Sequence, residues 1–273
     1  MFAAVDIGGT KTLVAVFDKH GKILEQIKFP TPENYDDFKI ELAKTVANLS
    51  TKDFRLAVVA IPGKIDRIRG IAISLGNLAW KNINIQADAE EIFHAPTLLE
   101  NDAKLGGLSE ALVLENKYQK VLYVTISTGI GLGLTIDGYI DVNLGDGGGR
   151  NMMLEHNGKI MPWEEFGSGK AIVKKYGERA SDINDIDTWK RIVKDFAVGI
   201  IDLIAVLNPD VIVIGGGVGS HFDKFGALLI ERLKIYETPL LPIPPILAAK
   251  HPEEAVIYGC YEFAKQHHEK LTT

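Results

Sequence analysis

The chain has 273 residues, 46% of them hydrophobic and 24% charged, with a formal net charge of -6; this is an ordinary globular composition, long enough for two domains. The acidic balance gives no support to nucleic acid or anionic lipid as partners, so an anionic ligand would have to be held by local features. A lone cysteine, Cys260, allows no internal disulfide, and neither a basic leader nor ~18 uncharged apolar residues in a row occurs, so a cytoplasmic protein without membrane contact is expected.

In chain order, residues 3–6 form a short apolar run that ends in Gly8-Gly9. Residues 12–17 follow as a second strand and, past the turn residues Asp18-Lys19-His20-Gly21, residues 23–27 as a third. Apolar residues at helical spacing (Phe38, Ile40, Leu42, Val46, Leu49) predict a helix over 36–49. Residues 56–61 read as a buried strand, 88–93 as a short helix, 97–99 as a short strand and 102–114 as a helix. The opening pattern then returns. The β-branched run 121–126, the turn Ser127-Thr128-Gly129-Ile130-Gly131, a strand over 132–136, Asp137-Gly138 and a strand over 139–142 repeat strand, glycine turn, strand, turn, strand. The repetition predicts two similar α/β domains with equivalent glycine turns facing a common cleft. Residues 189–207 predict a long amphipathic helix stopped by Asn208-Pro209. A buried strand over 211–214, a helix over Phe222–Lys234, a proline-broken edge segment over 240–246 and a final helix over 252–265 complete the chain. The expected division is residues 1–115 and 116–251, with the last helix, about 252–266, packing back on the first domain.

Four motifs carry chemistry. In Asp6-Ile7-Gly8-Gly9-Thr10-Lys11 the glycine pair lets backbone N–H groups approach phosphate oxygens, Thr10 adds a donor, Lys11 a cation, and Asp6 can hold a hydrated Mg²⁺; a plain hairpin whose Asp and Thr bond their own turn would look the same. Ser127-Thr128-Gly129-Ile130-Gly131-Leu132-Gly133 again exposes amides but leads into a strand, which disfavours a Rossmann site; a glycine-rich hairpin packed on its neighbour is the alternative. Gly215-Gly216-Gly217 ends a buried strand before a helix and places backbone against something flat or anionic, such as adenosine, or else serves tight helix–strand packing. Glu100-Asn101-Asp102-Ala103 opens a helix; its Asn and Asp suit an N-cap, and a helix N-terminus also keeps a carboxylate ionised, as a general base requires.

In this order and at this spacing, Asp6-Ile7-Gly8-Gly9-Thr10, Ile61-Pro62-Gly63, Gly76-Asn77-Leu78 with Trp80, Glu100-Asn101-Asp102-Ala103, Ser127-Thr128-Gly129-Ile130-Gly131 and Ile214-Gly215-Gly216-Gly217 resemble the ROK family of repressors, open reading frames and kinases over residues 3 to 265. The resemblance implies a two-domain, actin-like (ribonuclease H-like) ATPase fold with its active site in the interdomain cleft. It further implies ATP-dependent phosphorylation of a sugar hydroxyl, with polyphosphate as the alternative donor. By similarity, Asp102 is the general base and Gly63, Asn77, Asn101 and Glu164 line the sugar pocket. Gly8, Gly9, Thr10 and Lys11 meet phosphate, as do Thr128, Gly129 and Gly131 in the second loop. Gly215, Gly216 and Gly217 face adenosine, and Asp6 supports Mg²⁺ through water. The assembly implied is a homodimer.

The chain also departs from the family pattern. Where many members carry Gly-Glu-x-Gly-His followed by zinc cysteines, this sequence has Gly148-Gly149-Arg150-Asn151-Met152-Met153, so no zinc site is expected. Trp163-Glu164-Glu165-Phe166-Gly167-Ser168-Gly169 matches the next family segment, Glu-x-x-Ala-Ser-Gly. Loss of two polar sugar contacts bears on which hydroxyl pattern is accepted: glucose is the default acceptor, with N-acetylmannosamine and fructose as alternatives, and Arg150 either meets an anionic ligand or points to solvent. A catalytically weak sugar sensor is the other class that these losses suggest. A ROK repressor would need a DNA-binding domain ahead of the first strand, which here begins at Ala3.

Overall fold

Strands Leu56–Ile61 and Val211–Gly215 are buried at every position, the pattern of parallel strands covered on both faces. In the computed structural model, which describes residues 1–272 other than 77 and 116, each lies within a five-stranded mixed sheet. The chain forms two units, Met1–Ser109 with Glu254–Thr273, and Glu110–Glu253.

In the first unit, Phe2–Ile7, Lys11–Phe17 and Ile23–Pro30 make an antiparallel meander, and Leu56–Ile61 and Thr97–Asn101 continue the sheet in parallel beyond Phe2–Ile7. The outermost strand, Ile23–Pro30, alternates between exposed and half-buried positions for most of its length, as a sheet edge does. Register pairs Asp6 with Ala60 and Ile61 with Asn101. The carboxyl ends of three parallel strands therefore finish together, and the segments that follow them begin at Gly8, Pro62 and Asp102. Such ends are where open α/β sheets place ligands. Helix Tyr35–Ala47 starts at Asn34, whose side chain accepts the Asp36 and Asp37 N–H groups. Phe38 and Leu42 from this helix join Val5, Val14, Val59 and Phe93 in the core.

The second unit repeats the plan. Lys120–Ile126, Ile130–Ile136 and Tyr139–Ile140 form the meander, and Val211–Gly215 and Ile246–Ala248 add in parallel. The long helix Ile186–Leu207 begins where Asp185 accepts the Asp187 and Thr188 N–H groups, and it ends at Asn208 with φ 45°. Its buried face, from Trp189 through Ile200 to Ile204, packs in a core with Leu122, Val124 and Phe225.

Several boundaries differ from those expected. The long helix starts at Ile186 and not at Trp189, because Asp185 caps it. The last helix is Ala255–Thr272. The final strand is Ile246–Ala248, not the segment over 240–246: Pro242, Pro244 and Pro245 precede it, and proline cannot donate to a ladder. Two small sheets carry no expectation from the sequence, the meander Lys64–Asp66, Ile71–Ser74 and Lys81–Ile83 and the hairpin Met153–His156 with Lys159–Pro162. Their strands are too short to show a clear period.

The last helix packs against Phe2–Ile7 and Leu56–Ile61, and Gly259 lies so close that a Cβ there would collide with the Leu105 carbonyl. Backbone cannot yield as a flexible side chain can. Gly259→Ala should therefore lower stability by about 1–3 kcal/mol, read as a lower urea midpoint. Gly145→Ala, at a position with nothing within 4 Å of the new methyl, should leave the midpoint nearly unchanged.

Candidate active site

In the first unit the site begins with the bend after Phe2–Ile7. The Gly8 N–H donates to the Lys11 carbonyl at 2.9 Å, and a Cβ on Gly8 would sit 2.8 Å from that same oxygen. Thr31 secures the bend from outside: its hydroxyl donates to the Gly8 carbonyl at 2.8 Å and lies 2.9 Å from the Thr12 hydroxyl, while its N–H donates to the Thr10 carbonyl at 3.1 Å. Gly9, Thr10 and Lys11 are left exposed. Thr31 belongs to none of the motifs; its one signal is the hairpin register, which sets Pro30 opposite Lys11.

Gly63 has φ 110°, a conformation suited to glycine, and a Cβ there would strike the Ser74 carbonyl. Asn101 is buried; its amide donates to the Gly63 carbonyl at 3.1 Å, and its Oδ1 accepts the Lys104 N–H at 3.2 Å. Of the two residues suited to cap the helix, Asn101 is therefore the one that does so. Asp102 is the first residue of helix Asp102–Val113, half-buried, with Oδ1 accepting the Ala103 N–H at 2.8 Å. Beneath it, buried Glu100 is gripped by the Arg67 guanidinium, with Nε–Oε2 at 2.8 Å, and accepts the Asn101 N–H at 2.7 Å. Asn77 lies outside the described residues.

Asp6, half-buried at its strand end, has its carboxyl pushed up to about 7 by burial first and by the Asp102 charge second, with Lys28 opposing. Cys260 is buried nearby, its thiol raised well above the usual range by burial and then by Asp6, which makes it an unreactive hydrophobe.

In the second unit, the Ser127 N–H donates to the Gly129 carbonyl at 2.8 Å and the Gly169 N–H to the Ser127 carbonyl at 2.7 Å. Thr128 is exposed at the tip of this bend, and Gly131 is half-buried in the strand that leaves it. Glu164 lies directly behind Gly129, where any Cβ would collide with its carboxylate. Its Oε2 accepts the Ile130 N–H at 3.0 Å, and its Oε1 faces the Arg150 guanidinium at 3.3 Å. Of the three glycines Gly215, Gly216 and Gly217, two have a packing duty. A Cβ on Gly215 would collide with the Tyr123 hydroxyl, and one on Gly216, φ 82°, would lie 2.5 Å from the Thr125 hydroxyl oxygen. Gly217 is exposed with open space beside it, so it is the one of the three with room for a flat group. Among the described residues, no three His, Cys, Asp or Glu side chains gather as a metal cage would need, and no helix is long and apolar enough to cross a membrane.

The ROK family model matches residues 2–267 of the chain. A glucokinase from Streptomyces coelicolor is 24% identical over 96% of this chain and 96% of its own length. An N-acetyl-D-glucosamine kinase from Haemophilus influenzae is 27% identical over 95% of this chain and 97% of its own. The crystal structure of a ROK family glucokinase from Streptomyces griseus, in complex with glucose and AMPPNP, superposes with a TM-score of 0.82 at 22% identity, covering 97% of this chain and 99% of that one. These likenesses establish the two-domain actin-like fold.

The elevated Asp6 value has a measurable consequence. A folded-state value near 7 against an ordinary 3.8 means the native state holds this proton longer, so ionising Asp6 opposes folding. The penalty is absent below about pH 4, grows up to about pH 7 and is constant above, with a ceiling of about 4 kcal/mol. Without divalent cations, Asp6→Asn should therefore be more stable than the native chain at about pH 8, and the gap between their urea midpoints should shrink as pH falls and close below about pH 4.

Proposed function

The chain belongs to the ROK family, and on that basis we propose that it transfers the γ-phosphoryl group of ATP to a hydroxyl of a hexose or related sugar in the cytoplasm. The observation that carries this reading is the placement of Asp102. It stands at the carboxyl end of Thr97–Asn101, within electrostatic reach of Asp6, while Asn101 does the helix capping. Glucose is the default acceptor; the names of the similar kinases, for glucose and for N-acetyl-D-glucosamine, support this substrate class.

A sugar hydroxyl is a weak acid, so an aligned carboxylate helps by taking the proton as the new P–O bond forms. That proton acceptor is Asp102. The helix N-terminus favours its charged form, which limits its basicity, so alignment supplies the effect. Gly63 and Asn101 would shape the sugar wall, their mutual hydrogen bond fixing its position. Exposed Gly9, Thr10 and Lys11, on the bend that Gly8 closes, would meet phosphate oxygens, as would Thr128, Gly129 and Gly131 on the second bend. Gly217 would face the adenosine, with Gly215 and Gly216 seating its backbone.

Mg²⁺ fits the residues present. Asp6 carries a charge that burial and Asp102 both disfavour, and a hard cation would relieve it. Mg²⁺ keeps several waters and commonly binds through one or two carboxylates together with substrate phosphates. Asp6 would hold it, chiefly through water. When bound it would neutralise phosphate charge.

Asp102→Asn should lower kcat by about 10²–10⁴-fold with sugar and nucleotide KM little changed, measured as ADP release across a panel including glucose, N-acetylglucosamine, N-acetylmannosamine and fructose. Undiminished turnover in this variant would remove Asp102 as base. Native protein that binds sugar and nucleotide without releasing ADP would point to a sensor instead.

A further inference from the structure

The bend from Gly8 to Lys11 can hold phosphate only if its amides face outward and its carbonyls do not, because a carbonyl oxygen carries partial negative charge and repels an anion. The carbonyls of Gly8, Thr10 and Lys11 each accept a bond from inside the protein. Lys11 takes the Gly8 N–H at 2.9 Å, Thr10 takes the Thr31 N–H at 3.1 Å, and Gly8 takes the Thr31 hydroxyl at 2.8 Å. Gly9, Thr10 and Lys11 themselves are exposed.

Counting protons gives the bond to Gly8 a direction. A threonine hydroxyl has one proton. Thr31 gives its proton to the Gly8 carbonyl, so across its 2.9 Å contact with the Thr12 hydroxyl it can only accept. Thr12, buried on strand Lys11–Phe17, is therefore the donor. The order runs from the Thr12 O–H to the Thr31 O–H to the Gly8 carbonyl, and β-branching restricts the rotamers of both side chains. The peptide that this chain reaches needs a hold. Gly8 and Gly9 carry no Cβ, so the peptide between them can rotate with little steric resistance. The Thr31 N–H secures Thr10, and the Thr31 hydroxyl secures Gly8. In a trans peptide the carbonyl of one residue and the N–H of the next point in opposite directions. Drawing the Gly8 carbonyl inward thus turns the Gly9 N–H outward, and a flip would present the carbonyl in its place.

We propose that Thr31, backed by Thr12, is a latch on the Gly8–Gly9 peptide that holds the bend in the orientation a nucleoside triphosphate requires. The latch keeps the Gly9 N–H on the ligand side and the Gly8 carbonyl off it. Thr31 is a positioning residue: it acts through the bend and makes no contact with the nucleotide. The assignment rests on the kinase reading given above.

The test compares the full native chain with Thr31→Ser, which keeps the hydroxyl, Thr31→Val, which keeps the shape without it, and Thr12→Val, which removes the donor behind it. Affinity for a non-hydrolysable ATP analogue with Mg²⁺ is read by calorimetry, sugar KM by ADP release and stability by the urea midpoint. Thr31→Val should weaken analogue binding by about threefold to tenfold, the scale of one net hydrogen bond, with sugar KM changed by no more than about twofold. Thr31→Ala removes the same hydroxyl with a smaller side chain and carries the same expectation should the valine variant not fold. Thr31→Ser should bind within about twofold of the native chain. Thr12→Val leaves the bond to Gly8 in place, so it should lose less affinity than Thr31→Val while its urea midpoint falls. A contact that served folding alone would lower the midpoint of Thr31→Val and leave its analogue affinity native, and that result overturns the latch. Equal weakening in Thr31→Ser and Thr31→Val overturns it too, because the hydroxyl would then not be the cause. Native protein that binds no nucleotide overturns the kinase reading, and the latch falls with it.

Discussion

Backbone meeting backbone, with no space for a side chain between, holds the glycine bends of this protein. The Gly8 bend closes on the Lys11 carbonyl, Gly63 lies against the Ser74 carbonyl, and Gly148 lies against the Ile130 carbonyl. Each contact fixes a segment that follows or faces a strand end, and strand ends are aligned by the parallel register. Exposed amides and side chains at these bends are thus presented by the frame of the sheets. Preorganisation of this kind is what positioning catalysis requires.

The acids sort by how their charge is compensated. Glu100 is buried and gripped by Arg67. Glu110, also buried, accepts the N–H groups of Lys250 and His251 at 2.7 and 2.8 Å. Asp195 meets Lys175 at 2.8 Å, and Glu164 meets Arg150 and an amide. These groups hold segments together. Asp6 is different: burial and the Asp102 charge outweigh Lys28, and its proton is retained to about pH 7. An acid left under-compensated at a strand end is a common mark of a functional position, because it costs stability and returns none. Asp6 stands out on this ground independently of any resemblance.

The departure from the family pattern at residues 148–153 also takes on physical content. Along the chain, Gly148-Gly149-Arg150 amounts to a loss of polar contacts. In the fold it is an approach of one backbone to another, with a guanidinium delivered beside the Glu164 carboxylate behind the second bend.

Much of the fold was legible because its signals are local. Continuous β-branched runs marked the buried parallel strands, glycines marked the bends, Asn208-Pro209 marked a helix end, and the repeated strand–turn pattern anticipated two sheets of the same order. Asp102 at the start of a helix was readable for the same reason, since strand, cap and helix follow one another along the chain. What tertiary structure alone decided was which residues meet. Asn101 rather than Asp102 caps the helix because its amide also reaches Gly63, 38 residues away. Gly215 and Gly216 are packing residues because Tyr123 and Thr125 lie on the neighbouring strand. Glu164 serves the glycine bend because Ile130 and Arg150, 34 and 14 residues distant, converge on it. Propensity and periodicity act between residues a few positions apart, whereas a hydrogen bond or a steric limit between distant segments exists only once the sheets have set their register.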